Sequence, residues 1–197
     1  MRAGGIRRPP NRTGSPHETG HMKRVGLLRH AKSDWSDHDK RDFDRGLNER
    51  GRAGARLMGR HIRDQGGEWP LIRASSAERV RRTVECALPG ADIRFDQRLY
   101  LASADTLTEL IAELPEEADA VLLVAHNPGL QDVILKLVAP SRENALFDAA
   151  KEKFPTASFA VIELPAQRWA DVAEETGALV HFTRPRDLDP ELGPEEP

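Results

Sequence analysis

Val25-Gly26-Leu27-Leu28-Arg29-His30-Ala31-Lys32 is the stretch on which the reading of this chain turns. It opens as an apolar run with the length of a buried strand. It stops on Arg29 and His30, set side by side. Ligands of α/β proteins bind beyond the carboxyl ends of parallel strands, so a short buried strand ending in polar groups is a place to look for a site. One such end could be two solvated residues. The pattern recurs, however. Ala120-Val-Leu-Leu-Val-Ala125 is a second strand-length apolar run, and His126 follows at once, with Asn127-Pro128-Gly129 turning the chain into the apolar-periodic Leu130–Val138. A weaker third run, Leu71–Ala74, meets Ser75-Ser76 and a helix-like stretch carrying Arg79, Arg81 and Arg82. If these strands are parallel, all three junctions lie at one sheet edge.

Working outward, 197 residues suffice for one ordinary domain with a sizeable core. A formal net charge of −3 leaves no nucleic-acid footprint. No apolar run approaches the length needed to span a bilayer. The single Cys86 excludes an internal disulfide and fits a reducing, cytoplasmic setting. Residues 1–21 are rich in Arg, Pro and Gly, without the apolar core of a secretory signal, and read as a disordered tail. The folded domain is expected over residues 22–183. Residues 184–197, acidic and Pro-rich, read as a second tail.

Between the junctions the punctuation is regular. Asn48 is a good N-cap for an amphipathic helix running to about Gln65, with Ala53, Leu57, Met58 and Ile62 near a 3.6-residue period and His61 on its surface or flank. Gly66-Gly67 ends it. Ala77 to about Ala87 reads as a helix, Ala91–Phe95 as a short strand and Ser103–Leu114 as a capped helix. Residues 139–156 are irregular, with a helical turn near Ala145–Ala150. Ala157–Leu164 and Ala178–Phe182 read as strands, the last at an edge. Strands alternating with helices give an α/β fold: three layers, α/β/α, around a mostly parallel sheet in a single domain.

The loop from Ala31 to Leu47 holds Asp34, Asp37, Asp39, Asp42 and Asp44, mixed with Lys40, Arg41 and Arg45. It lacks the glycine and ligand order of a calcium loop and reads as salt-bridged and solvated. Trp35 and Phe43 are expected to pin it to the body. Ser33 stands near enough to His30 to offer its hydroxyl to a ligand, and Asn127 stands beside His126, so both are candidate substrate-binding residues.

Two histidines and several arginines at one sheet edge suit a particular chemistry. There is no Gly-x-Ser-x-Gly elbow, no phosphate-binding Gly-rich loop and no His-Glu-x-x-His pair. Arg29 and Arg79 beside His30 and His126 would repel a metal cation, but arginines grip phosphate through paired N–H donors. Nearby guanidinium charge lowers an imidazole pKa and keeps it neutral, a competent nucleophile toward phosphorus, and the same charge stabilises the transferring group. The pattern points to phosphoryl transfer without a metal or other cofactor, through a phosphohistidine intermediate.

Leu-Leu-Arg29-His30-Ala, Ser75-Ser-Ala-Glu-Arg79-Val-Arg-Arg-Thr83 and Leu-Val-Ala-His126-Asn-Pro-Gly resemble, in order, the motifs of the histidine phosphatase superfamily, whose fold is phosphoglycerate mutase-like. Leu47-Asn-Glu-Arg-Gly51, Leu99–Ser103, Phe154-Pro-Thr-Ala and Phe182–Leu188 extend the likeness to its small SixA-type phosphohistidine phosphatases. The resemblance implies that His30 is the phosphorylated nucleophile, that Arg29, Arg79 and His126 complete the phosphate pocket, and that no metal is used. It implies a phosphorylated protein or a small phosphorylated molecule as partner, with neither nucleic acid nor membrane. Larger members carry a carboxylate acid for an oxygen leaving group. Only Asp105 or the 33–45 loop offers one here, and its absence would favour phosphohistidine. A small-molecule phosphomonoesterase or mutase of the same fold and a non-catalytic phosphate-binding module remain as alternatives.

Overall fold

The structure, a computed structural model, describes residues 21–193. The N-terminal tail expected over residues 1–21 falls, but for His21, outside the described residues, as do 194–197. In chain order the elements are β1 (Lys23–Arg29), α1 (Glu49–Asp64), β2 (Leu71–Ser75), α2 (Glu78–Ala87), β3 (Arg94–Asp96), α3 (Ala104–Ala112), β4 (Ala120–Ala125), α4 (Gly129–Leu137), α5 (Ala145–Glu152), β5 (Phe159–Leu164), β6 (Ala178–Thr183) and α6 (Pro185–Leu188).

One six-stranded sheet runs β3-β2-β4-β1-β5-β6. β1 pairs parallel with β4, and β2 pairs parallel with β4 and β3. β5 lies antiparallel to both β1 and β6. β4, covered on both faces, is buried at every residue, which is why it reads as an unbroken apolar run rather than an alternation. Side chains of successive strand residues go to opposite faces, and the core divides accordingly. Leu28, Ile72, Leu122 and Val124 meet Met58 and Ile62 of α1 and Val80 and Val84 of α2. Val25, Leu27, Val121 and Leu123 meet α3, α4 and α5 through residues such as Leu107, Leu110, Val133, Ile134 and Phe147. This is the three-layer α/β/α arrangement around a mostly parallel sheet.

Local chemistry sets the helix starts. Asn48 Oδ1 accepts from the Gly51 N–H at 2.8 Å, and Ser103 Oγ from Thr106 N–H at 3.2 Å, each satisfying an N-terminal donor that the helix cannot. Two glycines allow close approach. A Cβ on Gly51 would lie 2.1 Å from the Lys32 carbonyl oxygen, and one on Gly59 would lie 2.0 Å from that of Ala87. The first contact presses α1 against the segment that follows His30.

Three expectations need correction. The folded body does not stop at residue 183. Arg184 grips Asp187 through two nitrogens, Pro185 is buried, and residues 185–188 form α6, so the composition of a tail conceals a packed segment. Trp35 does not pin the aspartate-rich loop by burial; it is exposed, with the Arg45 guanidinium 4.3 Å above its ring. Residues 145–152, expected as a single turn, form α5 under an Asn144 cap whose Oδ1 accepts from both Leu146 and Phe147.

Candidate active site

β2, β4 and β1 are neighbours and parallel, so their carboxyl ends deliver Ser75, His126 and the Arg29-His30 pair to one edge. The rings of His30 and His126 stand 5.1 Å apart. Both are buried. His30 Nδ1 lies 2.8 Å from the Ala31 carbonyl oxygen. A carbonyl only accepts, so Nδ1 carries the hydrogen and Nε2 keeps its lone pair. Burial, and then the charges of Arg79 and Arg29, pull the His30 pKa down to about 3, against the Ala31 bond and Asp42. Burial, His30 and Arg79 take His126 to about 3 as well. Both imidazoles are neutral at physiological pH.

His126 Nε2 lies 2.9 Å from Ser75 Oγ. That hydroxyl oxygen already faces the Ala77 N–H at 3.4 Å. When the Ser75 hydroxyl donates its proton to Nε2, the ring hydrogen sits on Nδ1, a buried nitrogen without a partner among the described residues. In that tautomer the two histidines present opposite faces of the same chemistry: a bare lone pair on His30 and an unused donor on His126.

Arg29 donates to the Phe154 carbonyl at 2.8 Å, and its Nε is buried and unpartnered. Burial and the neighbouring Arg79 lower its pKa. Arg79 lies in the first turn of α2 and is 4% exposed. It donates to the Asp42 carbonyl at 2.6 Å and to the Asp42 carboxylate at 2.9 Å. The Tyr100 hydroxyl donates to the same carboxylate at 2.7 Å, and the Tyr100 ring meets His126 edge-on at 5.3 Å. Burial would raise the Asp42 pKa, but the Tyr100 and Arg79 hydrogen bonds outweigh it and hold the carboxyl below its usual range. Thr83 ties α2 to the segment carrying His30: its hydroxyl accepts from Ala31 N–H at 2.9 Å and donates to the Arg79 carbonyl at 2.7 Å.

The structure therefore brings Arg29, His30, Arg79 and His126 together. Asn127 lies at the rim, its amide donating to the Phe154 carbonyl at 3.0 Å and its buried Oδ1 unpartnered. Ser33 pairs with Leu47 in an isolated bridge, and no hydrogen bond among the described residues joins its hydroxyl to the site. Asp105 is engaged by Lys136 on the α3–α4 side of the molecule and offers no acid to the histidines. Arg82 is held by Glu78 and Glu85, and Arg81 lies over Phe95, so neither enters. Asp42, Tyr100, Ser75 and Thr83 are the site residues whose roles composition and spacing did not assign. Among the described residues no group of three His, Cys, Asp or Glu could hold a metal, and no helix is long and apolar enough to cross a membrane.

A neutral imidazole pair flanked by the buried Arg79 and half-buried Arg29 guanidinium groups, at the carboxyl edge of parallel strands, defines a phosphate-handling α/β enzyme. Residues 25–102 match the family model of the histidine phosphatase superfamily (branch 1). An uncharacterised protein of Mycobacterium leprae is 32% identical over 167 residues, covering 81% of this chain and 100% of that one. Among solved structures, the candidate phosphohistidine phosphatase SixA of Agrobacterium tumefaciens is 34% identical with a TM-score of 0.68, covering 82% of this chain and 97% of that one. Its counterpart from Nakamurella multipartitia is 26% identical with a TM-score of 0.74, over 83% and 96%. The chain belongs to the histidine phosphatase superfamily, on its SixA-type side, and is a phosphatase.

Proposed function

We propose that this protein is a phosphohistidine phosphatase that transfers the phosphoryl group of a phosphorylated protein histidine to His30 and then to water. The observation that carries the reading is the His30 ring. With Nδ1–H committed to the Ala31 carbonyl, Nε2 has a free lone pair between two arginines. In the first step the Nε2–P bond forms as the N–P bond of the substrate breaks, and the leaving imidazole keeps its electron pair and takes a proton from water. In the second step water attacks phosphorus, the Nε2–P bond breaks, inorganic phosphate departs and a proton is released. Arg29 and Arg79 balance the charge on the phosphoryl oxygens, and His126 Nδ1, buried and unpartnered, is a donor for one of them when the Ser75 hydroxyl donates to Nε2.

The substrate class is argued from the leaving group. An alkoxide needs a proton from a positioned acid. The carboxyl nearest the histidines, Asp42, is held ionised by Arg79 and Tyr100, and Asp105 is bound to Lys136. A protonated imidazole leaves without such an acid, which supports a phosphoramidate over a phosphate ester. The test sets a phosphohistidine-bearing protein beside para-nitrophenyl phosphate and 3-phosphoglycerate, in EDTA, for wild type and His30→Ala. Fast loss of the phosphoramidate is expected, falling at least about a thousandfold in the variant. Faster turnover of an ester would replace this reading with a small-molecule phosphomonoesterase. Vanadate binding with no turnover would replace it with a non-catalytic module.

A further inference from the structure

A cavity of about 440 Å³ opens beside the catalytic edge, between the start of α1, the segment after α5 and the α6 region. None of His30, Arg79, His126, Asp42 or Tyr100 lines it; Arg29 does, and is the residue it shares with the phosphate pocket. Among the described residues its charged lining is Arg29, Lys32, Arg50, Lys153, Arg184 and Arg186, with no aspartate or glutamate. In a chain whose acidic residues outnumber its basic ones, 32 against 29, that is a local inversion of sign. Arg184 is neutralised by Asp187, and Arg50 is engaged as well, so neither counts toward the free charge. Lys32, Lys153 and Arg186 make no salt bridge among the described residues, and the acceptor recorded for Arg29 is a neutral carbonyl. Like charges gathered round a concave surface repel one another and focus a positive potential into it, so an anion entering there relieves the repulsion. The volume is that of a small-ligand site.

We infer that this cavity is a second anion subsite, which binds a further phosphate or carboxylate group carried by the substrate beside the scissile phosphoryl. The inference rests on the phosphatase reading for the position of the scissile group but adds a selectivity that reading does not contain: substrates with two neighbouring anionic groups are preferred to those with one. The guanidinium of Arg29, between the two pockets, is placed to touch both groups, and its unpartnered Nε is a spare donor. The α6 segment supplies Arg184 and Arg186, which gives the packed C-terminal residues a role in recognition.

Binding is measured first without turnover, on the full-length His30→Ala protein, by calorimetry with orthophosphate and with tripolyphosphate. Tripolyphosphate is expected to bind at least about tenfold tighter, and Lys153→Gln combined with Arg186→Gln is expected to abolish most of that ratio. Two kinetic arms on the wild type then separate the sources of the second group: phosphohistidine peptides with acidic or alanine flanks, and small substrates with two phosphates or one. Preference for the polyanionic member in at least one arm, lost in the double variant, is the expected result. The milder variant Lys32→Gln and the steeper salt dependence of the polyanionic substrate guard against loss of fold. A tripolyphosphate ratio near one, or a preference that survives the double variant, overturns the subsite. Polyanion binding that holds while no phosphohistidine substrate turns over would leave the subsite standing and remove the phosphohistidine reading.

Discussion

Asp42 occupies the Arg79 guanidinium, on which the proposed function seats the substrate phosphoryl group, so on that proposal its carboxylate competes with the ligand. Asp42→Asn removes the charge and keeps an acceptor for Tyr100. The Arg79 side chain is 5% exposed and the Asp42 side chain 47% exposed. Removing one partner of a fully buried pair costs about 3–5 kcal/mol, and exposed pairs are worth about 1 kcal/mol or less. A pair with one buried and one half-exposed member lies between, at about 1–2 kcal/mol. Phosphate no longer has to displace that charge or approach it, so orthophosphate should bind roughly 5–30-fold tighter to the variant, since about 1.4 kcal/mol is tenfold. The free protein should lose stability by a similar amount, because Arg79 is left buried with the Asp42 carbonyl as its remaining strong acceptor. Titration calorimetry with orthophosphate and its inhibition constant as product both read the effect. Unchanged or weaker phosphate binding would refute the reasoning, and would mean that Asp42 orients Arg79 for the ligand rather than competing with it.

Three further outcomes are expected. Ser75→Ala leaves the buried His126 Nε2 without its partner; it should cost about 1–3 kcal/mol in urea unfolding and lower kcat more than it raises KM, because the His126 tautomer is no longer fixed. A wild-type kcat would show that Ser75 does not set it. Gly51→Ala would set a Cβ 2.1 Å from the Lys32 carbonyl, a backbone atom that cannot swing aside; about 1–3 kcal/mol of stability and most of the turnover should go together, whereas stability loss at full activity would show that the nucleophile segment is not held from α1. Finally, His30 and His126 are each held at about 3 in the folded chain against about 6.5 when unfolded. The unfolded chain therefore binds more protons between those values. Their contribution is complete above about 6.5 and falls by up to about 1.4 kcal/mol per pH unit for each as pH drops toward 3. Urea midpoints at pH 7, 6 and 5 should decline, less steeply in His30→Asn/His126→Asn, and a flat profile to pH 5 would contradict the burial of neutral imidazoles. His61 and His181, whose Nε2 atoms lie 2.9 Å apart and whose pKa values burial also lowers, add to the decline in both proteins.

The parts of the site that sequence made visible are those at the ends of central strands. β1 and β4 are buried on both faces, so they read as apolar runs, and a histidine placed where such a run stops is conspicuous. Arg79 stood out because a cation in the first turn of a helix opposes the dipole there. Asp42 was hidden among five loop aspartates with equal claim. Its distinction comes from Tyr100 and Arg79, 58 and 37 residues away, and no local pattern encodes those contacts. The direction of β5 was equally unreadable: a strand buried between two others carries no alternation that tells parallel from antiparallel. At the C-terminus, proline and charge gave the composition of solvent-facing chain, and it is the burial of Pro185 and the contact of α6 with α1 that show the segment folding back.

The pairing of β1 with β5 also sets when, during synthesis, this enzyme can first work. Arg29 N–H donates to the Ser158 carbonyl, Ala157 N–H to the His30 carbonyl, and the Arg29 guanidinium to Phe154. Arg29 and His30 leave the ribosome well before the backbone that holds them in place, which comes some 125 residues later. At about 5–20 residues per second, this interval lasts many seconds. Through most of it the nascent chain carries Arg29 and His30 on a strand with both neighbours, β4 and β5, still missing. On the proposed mechanism, catalytic competence waits for residues 154–158 to reach β1.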